Sequence, residues 1–246
     1  MAPRVVLIRH AEALHNLAYK SFPRTPSRRL PSVHPSLTDR GELQCMPLRE
    51  SLFRRFGAVP REDVAVIVSP MLRTLQTATL CLDWLVGRVP FEASADWQGA
   101  RPGGGGRVRT ENSACPCNTG RPCAVYAPAF PHVDFSRVDP VWPDKTSGRA
   151  ARYGCTRSAV VERGRLCLEA LHSRPEKLVF VVSHAGFLRT GVVGHWFMNG
   201  DYRIFDFAQG ASDGRRVLRQ DASTVAGGLG LSLEESVPLG DGLPEH

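Results

Sequence analysis

The chain has 246 residues, of which 42% are hydrophobic, and a formal net charge of +7. That length can bury a sizeable core, as one large α/β domain or two small ones, and the ordinary globular composition excludes disorder as the default. No run is long enough to span a bilayer, and Arg9 cuts the first apolar stretch after four residues, too early for a signal peptide. A cytoplasmic protein with mostly reduced cysteines is the simplest expectation. The basic clusters Arg24–Arg29, Arg54-Arg55, Arg101–Arg109 and Arg215–Arg219 come without a nucleic-acid motif or interleaved aromatics. Arginines gathered around a site for small anions explain the charge as well. Neither nucleic acid nor a membrane is expected as a partner, and a homodimer stays open.

In chain order, Val5–Ile8 is a short apolar run rich in β-branched residues and reads as a buried strand ending in Arg9-His10. Ala11–Tyr19 follows as a short helix. Ser21–Pro35, with four prolines, reads as an exposed loop. Thr38 is a good N-cap with Asp39 in the first turn, for a helix to about Phe56 that Pro47 must kink or divide. Val64–Val68 is a second buried strand, ending in Ser69-Pro70. Ser69 as N-cap with proline at the first helical position predicts a helix over Met71–Val86. Val89–Ala93 is a third strand candidate. This alternation predicts a mostly parallel sheet with crossover helices.

The middle third is different in kind. Gly99–Arg109 holds four consecutive glycines and reads as a surface insertion, and Glu111–Pro131 is mostly loop. A helix returns over Gly148–Ser173, and Leu178–Val182 repeats the opening pattern, running into Ser183-His184-Ala185-Gly186. Ile204–Phe207 is a last strand, and the segment from Gly227 reads as a frayed tail. The expectation is therefore one domain over 1–246, interrupted by loops at 21–35 and 99–131.

Three strand ends present Arg9-His10, Ser69-Pro70 with Arg73, and Ser183-His184. In a parallel sheet these ends share one edge, where such folds place their chemistry. Two arginines offer forked, charge-assisted hydrogen bonds to a phosphoryl group, and helix starts near Ala11, Pro70 and Ala185 add amides and a favourable dipole. Cys115-Pro-Cys117 with Cys123 lacks the paired spacing of common zinc sites, so no metal is expected there.

Four motifs carry a resemblance: Arg9-His10-Ala11-Glu12 with Asn16; Leu37-Thr38-Asp39-Arg40-Gly41 with Gln44; Ser69-Pro70-Met71-Leu72-Arg73-Thr74-Leu75-Gln76-Thr77-Ala78; and Ser183-His184-Ala185-Gly186. In this order they resemble the signatures of the histidine phosphatase superfamily, the phosphoglycerate-mutase-like group. The resemblance implies a three-layer α/β/α fold with a mostly parallel central sheet. It implies a metal-independent phosphatase, without a cofactor, acting on a small phosphorylated substrate through a phosphohistidine on His10. Arg9, Arg73, His184 and Asn16 would hold the phosphoryl oxygens, with Ala185 beside them. A carboxylic acid must protonate the leaving oxygen, and Glu111 fits best, with Asp96 and Glu92 as substitutes. Cys117-Asn118-Thr119-Gly120, just after Glu111, is similar to a Cys-Asp-Thr-Gly run of fungal-type sequences. Ala11 stands where the family usually has glycine, so the turn must avoid positive φ. Glu12 and His15 flank the pocket and read either as groups that tune access to it or as a solvated helix start, the second slightly preferred. The alternatives are a phosphoglycerate mutase, a member repurposed for a non-phosphorylated metabolite, and a non-catalytic binding module. Specificity is expected from the 21–35 and 99–131 loops and the Asn199–Arg203 turn.

Overall fold

A computed structural model describes residues 2–21, 34–99, 118–145, 147–209 and 215–245. The elements are β1 (Arg4–Arg9), α1 (Leu14–Ser21), α2 (Asp39–Phe56), β2 (Val64–Val68), α3 (Leu72–Cys81), β3 (Phe91–Ala93), α4 (Cys123–Tyr126), α5 (Arg157–His172), β4 (Leu178–Ser183), α6 (Ala185–Phe187), β5 (Tyr202–Phe207) and β6 (Leu218–Gln220).

Six strands form one sheet in the order β3-β2-β4-β1-β5-β6. The first four run parallel, and β5 and β6 are antiparallel additions. Burial on both faces explains why β1, β2 and β4 read as continuous apolar runs. Val6, Ile8, Val66, Phe180 and Val182 pack towards α2 and α3. Val5, Leu7, Val179 and Val181 pack towards α5 and Phe187. The result is the expected α/β/α layering with a mostly parallel centre.

Several boundaries differ from the sequence reading, each for a local reason. Thr38 caps α2 as expected, its hydroxyl accepting the Gly41 N–H at 3.0 Å. Pro47 does not divide α2. The carbonyl it leaves without an intrahelical donor is that of Leu43, which is on the solvent side, while Cys45, Leu48, Leu52 and Phe56 hold the other face in the core. Helix α3 is capped by Met71 rather than Ser69, because the Ser69 N–H is still bonded to Val182 O as an extension of the sheet. It ends at Cys81, and a single 3-10 turn over Asp83–Leu85 replaces the rest. The helix expected from Gly148 begins at Arg157, where the Thr156 hydroxyl caps it; Gly148–Tyr153 is 3-10 instead.

The segment from Gly227, expected to fray, is tied down. Asp201 accepts the Leu229 N–H and the Ser232 hydroxyl, and Arg203 donates to Leu233 O. Arg157 N donates to Pro244 O, and Leu243 is buried. Its anchors are polar groups bonding backbone, which leave no apolar periodicity for sequence reading to find.

Three cysteines are core residues: Cys45, Cys81 and Cys167 are free and buried. Burial pushes the Cys45 thiol up to about 12 and raises the other two as well. Iodoacetamide at pH 8 is therefore expected to leave all three unmodified in the folded protein and to label them in guanidinium. Mass spectrometry reads this directly, and rapid native labelling at Cys45 would contradict the packing.

Candidate active site

The site forms where the parallel strands end. Arg9 pairs with Ser183 in the ladder and Val68 with Val182, which brings the ends of β1, β2 and β4 to one edge. Four predicted residues converge there and are nearly or fully buried: Arg9 8%, His10 0%, Arg73 1% and His184 0% exposed. The His10 and His184 rings lie 5.2 Å apart, centroid to centroid. Arg73 bridges them, with Nε 3.3 Å from His10 Nε2 and a terminal nitrogen 3.2 Å from His184 Nδ1.

These contacts fix the protonation of both rings. A carbonyl only accepts, so the 2.7 Å contact from His10 Nδ1 to Ala11 O places a proton on Nδ1. A guanidinium only donates, so His10 Nε2 faces Arg73 with its lone pair. The same reasoning makes His184 neutral, with Nδ1 accepting from Arg73 and Nε2–H donating to the Ser69 hydroxyl at 3.0 Å. Arg9 is steered by a 2.7 Å bond to Phe197 O and lies 5.8 Å from the Trp196 ring centroid. Asn16 turns its Oδ1 onto the Ala13 N–H at 3.0 Å and also accepts from the Asn199 amide at 3.4 Å. Ala185 begins α6 directly after His184.

The second and third motifs hold the turn that carries His10. The Gln44 side-chain carbonyl accepts the Glu12 N–H at 2.8 Å, and Gln76 accepts the Leu37 N–H at 2.9 Å. Gly41 lies so close to Glu12 that a Cβ would stand 2.0 Å from its carbonyl oxygen, which is why only glycine fits. Thr77 accepts the Ala11 N–H at 3.0 Å and donates to Arg73 O at 2.7 Å, linking the turn after β1 to the first turn of α3 through one hydroxyl. A buried N–H stripped of its acceptor costs about 1–3 kcal/mol. Thr77→Val is accordingly expected to lower kcat/KM by about tenfold or more, while Thr77→Ser retains most activity; steady-state kinetics on the two variants decides it. Ala11 meets its constraint, since His34 is the non-glycine residue with positive φ among the described residues.

Several residues contribute more than the sequence reading gave them. Glu12 and His15, read as a solvated helix start, are 2% and 1% exposed. The loop into α2 covers Glu12, with the Thr38 hydroxyl 3.3 Å from its carboxylate, and the His15 ring lies 5.5 Å from that of His10. Ser69 serves as the acceptor that orients His184 rather than as a helix cap. Asn199 donates to His10 O at 3.1 Å, because antiparallel β5 begins beside the end of β1. That antiparallel turn has no short-range sequence signal. Gly120, in the Cys117–Gly120 run, lies under Trp142, where a Cβ would meet the indole at 1.8 Å.

Glu111, Cys115, Cys117 and most of the 21–35 and 99–109 segments fall outside the described residues. The two substitute acids are engaged elsewhere. Glu92 is held by Arg174 at 2.7 and 2.9 Å, and Asp96 by Arg152 at 2.5 Å. Among the described residues no group of three or more His, Cys, Asp or Glu is arranged to hold a metal ion. Among the described residues, Arg9 and Arg73 bring positive charge to the site.

Comparison with known proteins bears on the family and the fold. A phosphoglycerate mutase-like protein of Arabidopsis thaliana is 31% identical over 209 residues, covering 74% of this chain and 70% of the relative. Phosphoglycerate mutase-like protein 1 of the same plant is 28% identical, covering 75% and 68%. Among solved structures, one described as an alpha-ribazole-5'-P phosphatase of Escherichia coli superposes with a TM-score of 0.51 at 21% identity, covering 89% of this chain and 96% of that one. The ecdysone phosphate phosphatase of Bombyx mori, in complex with tungstate, also gives a TM-score of 0.51, at 14% identity, covering 89% and 92%. No family model matches the chain. The chain belongs to the histidine phosphatase superfamily, with its phosphoglycerate-mutase-like fold.

Proposed function

We propose that this chain is a metal-independent phosphatase that hydrolyses a phosphate monoester through a phosphohistidine on His10. The observation that carries the reading is the fixed ring of His10, whose proton is held on Nδ1 by Ala11 O while Nε2 faces Arg73. In the first half-reaction the Nε2 lone pair attacks phosphorus and the bond to the ester oxygen breaks. Glu111 gives that oxygen its proton. Arg9, Arg73 and the amide of Asn16 hold the phosphoryl oxygens and offset the charge that develops. In the second half-reaction Glu111 takes a proton from water, the water oxygen bonds to phosphorus, and the P–N bond returns its electrons to Nε2.

A phosphate-release screen over sugar phosphates, nucleotides, phosphoglycerates, prenyl phosphates and phosphopeptides tests the proposal, with His10→Ala as the control. Release that depends on His10 supports it, and no release from any ester argues against it. Glu111→Gln is expected to slow hydrolysis of alkyl phosphates by about 10²-fold or more, and of p-nitrophenyl phosphate far less, because a good leaving group needs no proton. Equal losses on both substrates would assign the acid to another group. The name shared by the plant relatives keeps phosphoglycerate mutase as the second reading. It predicts isomerisation of phosphoglycerate that depends on a bisphosphate primer.

A further inference from the structure

At the edge of the sheet opposite His10, where α5 ends and β5 meets β6, lies a cleft of about 870 Å³. Its polar lining includes Arg216, Arg219, His172 and Asp206. Arg219 stands opposite Asp206 in the β5–β6 ladder, yet both oxygens of Asp206 are taken by Arg4, at 2.9 and 2.8 Å. The side chains of Arg216 and Arg219 have no ion pair or hydrogen bond to the described residues. The His172 ring packs edge-on to Phe207 with centroids 5.0 Å apart, giving the cleft an aromatic wall. Two uncompensated guanidinium groups in a concave surface attract an anion and can bind it through forked hydrogen bonds.

A second groove, of about 210 Å³, continues from the first, and Arg216 lines both. Its other walls are apolar, among them Leu168, Val192, Val217, Val237 and Leu239. Val217 and Leu239 are 49% and 37% exposed, although both are aliphatic. Arginines along an edge strand also discourage strand pairing. That role accounts for their charge but not for the aliphatic groove adjoining them.

We propose that this composite cleft is a binding site for a soluble amphipathic anion, a phosphate-like head group with a short aliphatic chain. The head lies between Arg216 and Arg219 and the chain runs into the groove beside Val217 and Leu239. The site is independent of the catalytic chemistry, since it lies at the other end of the parallel strands.

The test is calorimetric titration with octylphosphonate below its aggregation concentration, compared with methylphosphonate. The C–P bond resists hydrolysis, so turnover does not disturb the reading. Octylphosphonate is expected to bind at least about tenfold more tightly, given the apolar area its chain buries. The preference should vanish in the R216E/R219E double variant and shrink in Leu239→Gln. Both variants alter exposed residues, and both should keep kcat/KM for a phosphatase substrate within twofold of wild type. Equal affinity for the two phosphonates overturns the proposal. So does an octyl preference that survives R216E/R219E, which would place the chain in the catalytic pocket. Sedimentation with phosphatidic-acid vesicles in the absence of octylphosphonate binding would assign the surface to a membrane instead, and also overturns it.

Discussion

His10→Ala is expected to remove phosphatase activity by about 10⁴-fold or more, the scale on which loss of a nucleophile is felt. Alanine has no nitrogen to take the phosphoryl group. Arg73→Ala should follow with a loss of about 10²–10³-fold in kcat, since it withdraws one preorganised cation from the transferring group. Arg73→Lys should rescue little of this. One guanidinium reaches both His10 and His184, and an ammonium cannot span them as a planar fork does. The pair of variants separates chemistry from charge: a charge-only role would be restored by lysine. Single-turnover measurements on a substrate found in the release screen give both numbers.

The largest effect on stability is expected at Arg203, far from any catalytic role. This side chain is fully buried and donates to the carbonyls of Trp196, Thr224, Val225 and Leu233, at distances between 2.5 and 3.2 Å. Burial holds its proton affinity below the ordinary arginine value, and nearby Asp201 partly offsets that effect. Methionine fills much of the same space but takes the Arg203 donor from the carbonyls of Trp196, Val225 and Leu233, while Thr224 O keeps the Gly227 N–H and the Gln220 amide. Each buried carbonyl left unpaired costs about 1–3 kcal/mol, with incomplete additivity. Arg203→Met should therefore lose about 3 kcal/mol or more, a fall in Tm of about 6–12 °C for a chain of this size. Because Arg203 anchors the segment beyond Gly227, limited proteolysis near Leu233 should quicken in the same variant. An unchanged Tm would show that the tail is held by other contacts.

The strand ends that build the candidate site were legible in the sequence because each is a local pattern. An apolar run stops at a polar residue, Arg9, Ser69 or Ser183, and parallel topology then brings the three ends together. Arg9, His10, Arg73 and His184 all follow from that logic, and the structure brings them together. The residues that hold them are less legible. Thr77, Gln44 and Gln76 stood inside recognised motifs, but their partners are backbone groups of another loop, which no spacing rule reveals. Glu12 and His15 read as solvated because helix periodicity cannot register a loop folding over them. Ser69 shows a competition between two local rules: its residue type and the following proline favour a cap, while the sheet ladder continues through its N–H. The final segment failed for the opposite reason to the core strands. It is rich in glycine and poor in apolar periodicity, and what secures it is the polar pair Asp201 and Arg203.

The central claim is that His10 Nε2 carries the phosphoryl group between substrate and water. Rapid quenching of the enzyme with a ³²P-labelled substrate, followed by peptide mapping, tests it most directly. The account predicts a label on the peptide containing His10 that is stable to alkali and lost in acid, formed and discharged as fast as turnover. Full turnover with no label on that peptide would contradict it.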